Sequence, residues 1–238
     1  MASLGVNIDH IATLREQRKG MYPNLIDACT IIEQADADQI TAHLREDRRH
    51  INDKDIQNIK SWNKLPLNME MSINQEIVNI ACNVKPVWCC LVPEKRQELT
   101  TEGGLDVLTL IEKLKSVCNQ LKENSIKISL FLDPDIKQIE ASSDLPVDAI
   151  EIHTGTFCNQ IDQNKRQKEI EKIKKAGVQI LKQNLAFHAG HGLNKPLLQE
   201  LSSHIPEIKE YNIGHALICD AIFDGLFKTV SDYKKIIS

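Results

Sequence analysis

Eight short runs of β-type residues recur along this chain, and longer helical patterns separate many of them. That alternation points to a parallel α/β architecture. The runs cover residues 4–8, 39–43, 65–69, 87–92, 127–132, 149–153, 185–189 and 210–213. Helical spacing fills 24–35, where Leu25, Ile26, Cys29, Ile32 and Ala35 recur, and also 75–84, 105–124, 165–183 and 216–237. Pro66, Pro86, Pro134 and Pro146 stand at element edges, where a missing N–H is tolerated. No linker, repeat or low-complexity segment interrupts the pattern. The 238 residues, 42% of them hydrophobic, suffice for one large core. The expectation is one domain over residues 1–238, an α/β chain folded as a (β/α)8 TIM barrel. An open doubly wound sheet is the alternative, weakened because no G-x-G-x-x-G follows the first strand.

Charge narrows the partners. Lys and Arg number 29 against 33 Asp and Glu, a net charge of −4, which argues against nucleic acid. The opening residues lack a basic region and polar residues break them early, so no signal peptide is expected. No apolar run approaches a membrane span. The seven cysteines include no CxxC spacing and read as reduced, mostly buried thiols of a cytoplasmic chain. Cys89 and Cys90, adjacent in one strand, are expected to face opposite sides of it.

In a barrel of this kind the chemistry sits at the carboxyl ends of the strands. The first strand runs into Asn7, Asp9 and His10, the second into His43 and Arg45, and the third into Glu70. The sixth ends in Glu151 and His153, the seventh in His188 and His191, and the eighth in Asn212, Gly214 and His215. Six of the eight histidines fall at these ends, with His50 and His204 further out. Imidazole titrates near neutrality and suits proton shuttling. His43 reads equally as a catalytic base or as a satisfied core histidine. Glu70 reads as functional, because an unpaired carboxylate on a buried strand end is costly.

The turns His188-Ala189-Gly190-His191-Gly192 and Asn212-Ile213-Gly214-His215 occupy the habitual phosphate position of this fold. A metal pair at His188 and His191 is conceivable, but the glycines favour backbone N–H groups facing an anion. The run from His43 to His50 holds Arg45, Arg48 and Arg49 beside Glu46 and Asp47. It reads either as an internally paired loop or as a second phosphate clamp. Lys95, Arg96, Thr100 and Thr101 form another polar loop, with Gly103 and Gly104 as its hinge.

Taken together these segments resemble the pyridoxine 5′-phosphate synthase family. The resemblance rests on Gly5-Val6-Asn7-Ile8-Asp9-His10 through Arg15, on His43-Leu44-Arg45-Glu46-Asp47-Arg48-Arg49-His50-Ile51, and on Asn68-Met69-Glu70-Met71. It continues with Cys89-Cys90-Leu91-Val92-Pro93-Glu94-Lys95-Arg96, Glu151-Ile152-His153-Thr154-Gly155, Ala189-Gly190-His191-Gly192-Leu193 and Asn212-Ile213-Gly214-His215. It implies condensation of 1-deoxy-D-xylulose 5-phosphate with 3-amino-2-oxopropyl phosphate to pyridoxine 5′-phosphate, phosphate and water. It implies no metal or organic cofactor, and a homo-octamer of barrels with additional short helices. By resemblance, His43 and Glu70 are general acid/base residues, His191 a proton donor, and Glu151 a stabiliser of charged intermediates. Asp9, His10, Arg45, His50 and Thr100 would bind the deoxyxylulose phosphate. Asn7, Arg18, Gly192, Gly214 and His215 would bind the amino ketone phosphate.

The chain departs from the family pattern at Asp36 and Gln39, where glycines are usual, at Ala42, usually valine, and at His188, usually asparagine. The segment around Arg18 differs too. Two rival readings remain: a metal-dependent aldolase or hydrolase using His188, His191, Glu70 or Glu151, and a barrel without catalysis.

Overall fold

The computed structural model describes residues 1–94 and 103–238. Its strands are β1 (Ser3–Asn7), β2 (Gln39–His43), β3 (Leu67–Met71), β4 (Trp88–Leu91), β5 (Lys127–Leu132), β6 (Ala149–His153), β7 (Ala186–Gly190) and β8 (Glu210–Ile213). They pair in chain order, all parallel, and β8 pairs with β1 to close a barrel. The helices are α1 (Asp9–Glu16), α2 (Leu25–Gln34), α3 (Asp53–Trp62), α4 (Gln75–Val84), α5 (Val107–Glu123) and α6 (Ile136–Ala141). They continue with α7 (Gly155–Cys158), α8 (Gln163–Lys182), α9 (Lys195–His204), α10 (His215–Asp224) and α11 (Leu226–Ile236). No helix among the described residues is long and apolar enough to cross a membrane.

Local chemistry sets the helix starts. Asn24, Asn52, Asn74, Asp106, Asp135, Asp162 and Asn194 each accept a backbone N–H in the first turn of α2, α3, α4, α5, α6, α8 and α9. By contrast α1, α7 and α10 begin within two residues of the end of β1, β6 and β8 and have no capping side chain. The first amides of α7 and α10 therefore stay available at the carboxyl-terminal rim of the barrel, while that of α1 is taken by Asn7 Oδ1.

The strand faces divide the two environments. Val6, Ile40, Met69, Cys89, Leu130, Ile150, Ala189 and Tyr211 point outward into one apolar core shared with the helices. Many inward positions are polar, with Trp88, Phe131 and Ala149 among the apolar ones that share that face. Thr41 Oγ1 donates to Asn212 Oδ1 at 2.8 Å, Gln39 Nε2 donates to Glu210 Oε1 at 3.0 Å, and Asn212 Nδ2 donates to Glu151 Oε2 at 2.7 Å. Cys90, unlike its neighbour Cys89, faces this interior, with its thiol 3.8 Å from Glu151 Oε2. The adjacent cysteines thus take opposite faces as expected, and all seven are free thiols.

The expected strand positions hold to within one residue at each end except for β3, and two further expectations change. β3 lies two residues later than 65–69 because Pro66 lacks the ladder N–H. The helix expected over 216–237 is two helices, broken at Gly225 with φ 81°. Gly104 is not in the left-handed region. A side chain there would put its Cβ 2.1 Å from the backbone nitrogen of Asp133, so close approach explains this glycine.

Candidate active site

One side of the rim is built from β1 to β4. Asn7, the last residue of β1, donates from Nδ2 to Asp9 Oδ2 at 2.9 Å and accepts the Asp9 N–H at 2.9 Å. Asp9 Oδ1 in turn accepts the His43 backbone N–H at 2.9 Å, tying the ends of β1 and β2 together. His43 Nδ1 stands 3.9 Å from Glu70 Oε2, while Nε2 lies 2.9 Å from Glu94 Oε1. Glu70 also lies within 3.5 Å of Asn7 Nδ2.

The charged run after β2 divides into two populations. Arg48 donates to Asp53, to Glu76 and to the backbone oxygens of Arg45 and Glu46, and Arg49 pairs with Asp47. These two behave as the internally paired loop. Arg45 does not. It is buried, and its Nε has no hydrogen-bond partner, with Asp47 3.5 Å away. A buried guanidinium with open donors is suited to an incoming anion. Beneath the run, Arg15 forks onto Asp55 at 2.6 and 2.8 Å and donates to the His50 carbonyl at 2.9 Å. That clamp brings His50 to the rim, 6.2 Å ring to ring from His43.

The opposite side is built from β5 to β8. His191 follows β7 with φ 79° and Gly192 has φ 83°. Positive φ at a histidine is uncommon, and Thr154 Oγ1 holds the turn by donating to the Gly190 and His191 carbonyls at 2.8 and 2.6 Å. The His191 ring meets His153 at 4.9 Å, and His153 Nδ1 lies 2.9 Å from Asp133 Oδ1. His215, the first residue of α10, meets His10 edge-on at 4.8 Å. Histidines therefore line the rim from one side to the other.

Burial shapes the proton affinities. It drives the Glu151 carboxyl up to about 8, reinforced by Glu210 and opposed by hydrogen bonds from Asn212 and Cys90. It also raises Glu70 well above the carboxylate range, with Asp9 and Glu151 adding to the rise and Asn7 opposing it. His191 is lowered to about 4 by burial and then by His153 and His215. His10 is lowered by burial and His215, against the pull of Asp9. Burial lowers His50 as well; Asp9 opposes that, and His43, Arg45 and His10 add to it. The rim thus holds carboxylic acids and neutral imidazoles side by side, groups that exchange protons near neutrality.

Asp9, His43 and Glu70 each bring one ligand atom within 4.8 Å of the others, near enough for a cation. Hydrogen bonds already occupy both Asp9 oxygens and His43 Nε2, which favours proton transfer over ligation. His188 and His191 form no such group. His188 lies inside β7, with Nδ1 3.4 Å from Glu210 Oε1 and its ring against Trp88 at 5.5 Å. It is a residue of the barrel interior and touches neither His191 nor the rim.

The chain gathers Asn7, Asp9, His10, His43, Arg45, His50, Glu70, His191, Gly192, Gly214 and His215 at the rim, with Glu151 on the floor below. Gly214 lies against Asn7, and a Cβ there would come within 3.0 Å of it. Arg18 stands apart, exposed beyond the last turn of α1 and without a contact to the others. Thr100 lies outside the described residues, as do Lys95, Arg96 and Thr101. His204 ends α9, exposed, its Nδ1 2.8 Å from the Glu200 carbonyl oxygen. Two contributors were missed by the sequence reading, Glu94 after β4 and Asp133 after β5. The strand-end rule that singles out the other groups also finds these two carboxylates when carried to strands four and five.

A closed parallel barrel with proton-transfer groups gathered at its strand ends defines an enzyme of the TIM-barrel class. The family described as Pyridoxal phosphate biosynthesis protein PdxJ matches residues 4–238, and the chain belongs to that family. The pyridoxine 5′-phosphate synthase of Sulfurihydrogenibium sp. (strain YO3AOP1) is 50% identical, over 98% of this chain and 97% of its own length. That of Geobacter sulfurreducens is 47% identical, over 100% and 99%. Among solved structures, tryptophan synthase from M. tuberculosis superposes with a TM-score of 0.65 at 8% identity, covering 99% of this chain and 92% of its own. Phosphoribosyl anthranilate isomerase from Thermus thermophilus gives 0.61 at 9% identity, covering 99% and 98%. These two share the fold alone.

Proposed function

We propose that this chain is a pyridoxine 5′-phosphate synthase, joining 1-deoxy-D-xylulose 5-phosphate and 3-amino-2-oxopropyl phosphate. The observation that carries the reading is the gathering of His43, Glu70 and His191 at one rim, with an open-donor arginine on one side and uncapped helix ends on the other. Arg45 and His50, with Asp9, His10 and Thr100, take the deoxyxylulose phosphate. Gly192, Gly214 and His215, beside Asn7, take the amino ketone phosphate, using the first amides of α10.

The reaction needs proton movements more than anything else. Amine and ketone condense to an imine with loss of water, protons next to the imine and carbonyl leave and return, phosphate is eliminated, and ring closure with dehydration gives the aromatic product. His43 and Glu70 remove and return protons at the carbons between the two anion sites. His191, a neutral imidazole, takes up a proton and delivers it to a leaving oxygen. Glu151 is a neutral acid at pH 7 and ionises when a cationic iminium forms above it. Each positioned acid or base contributes roughly 10²–10⁴-fold. Holding both phosphates supplies about 7–11 kcal/mol at most through proximity.

The reading includes no metal or organic cofactor, no nucleic-acid or membrane partner, a cytoplasmic location and self-association as a homo-octamer. Exposed Met21, Tyr22, Ile222, Phe223 and Phe227 support self-association, because isolated barrels rarely leave large side chains this bare. The test mixes chelator-treated protein with both substrates and follows pyridoxine 5′-phosphate. Product is expected, and its absence would remove the reading. Arg45→Ala is expected to raise the KM for deoxyxylulose phosphate at least tenfold, and an unchanged KM would remove the clamp.

A further inference from the structure

His43 is the rim histidine whose ring has a carboxylate on each side. The two carboxylates differ in kind. Glu70 stands 3.9 Å from Nδ1, and its acid is raised by burial. Glu94 lies 2.9 Å from Nε2, and its side chain is 5% exposed. A carboxylate taken this far out of water is destabilised by several kcal/mol unless it is fully paired. Glu94 is fully paired. Oε1 faces His43 Nε2, and Oε2 accepts the Glu46 backbone N–H at 3.0 Å.

We propose that Glu94 is the positioning residue of His43, fixing its ring and holding its proton on Nε2, so that Nδ1 is the atom that exchanges protons with Glu70 and substrate. The inference rests on the reading of His43 as an acid/base group. Burial pushes the Glu94 carboxyl up, but the hydrogen bond from His43, the charge of His43, the Glu46 amide and Arg45 together bring it below the ordinary range. An ionised carboxylate is acceptor only, so the hydrogen between Glu94 and His43 must sit on Nε2. The neutral ring is then left with its lone pair on Nδ1, the side that faces Glu70. His43 is held on the backbone side too, since its own N–H is fixed by Asp9. A ring anchored at backbone and Nε2 has one nitrogen left for chemistry, the arrangement by which a carboxylate sets the tautomer of a working histidine.

Glu94 also braces the loop that carries Arg45, through Glu46. A bracing role alone would appear in substrate binding. A positioning role appears in turnover and in the tautomer.

The experiment measures kcat, both KM values and ¹⁵N histidine shifts for wild type, Glu94→Gln and Glu94→Ala, with His43→Gln to assign the His43 signals and His43→Ala as activity control. In wild type, neutral His43 is expected to be protonated on Nε2. In the Glu94 variants kcat is expected to fall about 10–100-fold, with each KM within about threefold, and the His43 shifts to move toward a mixture of tautomers. A wild-type His43 protonated on Nδ1 overturns the proposal even if the variants fail to fold. So does a Glu94 variant with wild-type kcat and an unchanged tautomer, or one that changes KM alone. Wild-type turnover by His43→Ala would instead remove the acid/base reading on which the proposal stands.

Discussion

Glu151 illustrates how much a single residue's surroundings decide. Its carboxyl is buried on the barrel floor, shares the Asn212 amide with Glu210, and is raised to about 8. An unfolded glutamate titrates near 4.3, so the native state binds the extra proton between those values and loses stability as pH rises toward about 8. The lowered histidines act oppositely, since His10, His50, His188 and His191 add stability as pH rises, but only up to about 6.5. Above that Glu151, Glu70 and the raised buried thiols all make stability fall as pH rises. The Glu151 share of the fall between pH 6.5 and 8.5 is expected to be about 2 kcal/mol. Glu151→Gln is expected to lessen the decline by that share. Urea midpoints across that range check it, and an equal decline in both proteins would contradict it. The rim histidines and Glu70 were legible as a pattern, because strand ends can be counted along a sequence. Their partners were less so. Glu94 follows a proline with no periodic signal, and the pairing of His188 with Glu210 needs two strands side by side. The charged run from His43 to His50 could not be divided by sequence, because burial separates Arg45 from Arg48 and Arg49.

At the scale of elements, two helices near the site bury charged groups beside only a few apolar ones. α1 buries Arg15 among few hydrophobics, and α3 buries Ile56, Ile59 and Asp55. Their stability comes from polar devices instead. Asn52 and Asp55 form a capping box, and Asp55 also takes the Arg15 fork. A period-based reading sees apolar stripes and passes over both helices. It reads β2, β5, β6 and β8 to the residue, because each is a short β-type run with one apolar face. Arg15→Met is expected to leave Asp55 buried without its cation, costing about 3 kcal/mol, and to release the His50 carbonyl. Thermal denaturation checks the first effect. A rise in the KM for deoxyxylulose phosphate checks the second, and a variant as stable and as active as wild type would show that the clamp contributes nothing.

For the molecule as a whole, the barrel is apolar outside its strands and carries many polar groups within. The alternation that packs Val6, Ile40 and Tyr211 against helices sends Gln39, Thr41, Cys90, Glu151 and Asn212 inward. Side chains from distant parts of the chain, such as Thr41 and Asn212, can satisfy one another only once the sheet has closed. The proposed self-association would cover the exposed side chains of Met21, Tyr22, Phe223 and Phe227. Light scattering is expected to give the mass of eight chains, and a monomer at micromolar concentration would contradict this. The whole account stands on three side chains working as one proton-transfer unit. The most direct measurement is the rate of pyridoxine 5′-phosphate formation by wild type, His43→Ala, Glu70→Gln and His191→Ala, with folding followed by circular dichroism. Loss of at least a hundredfold in each variant with the fold intact is predicted, and wild-type rates in His43→Ala and Glu70→Gln would contradict it.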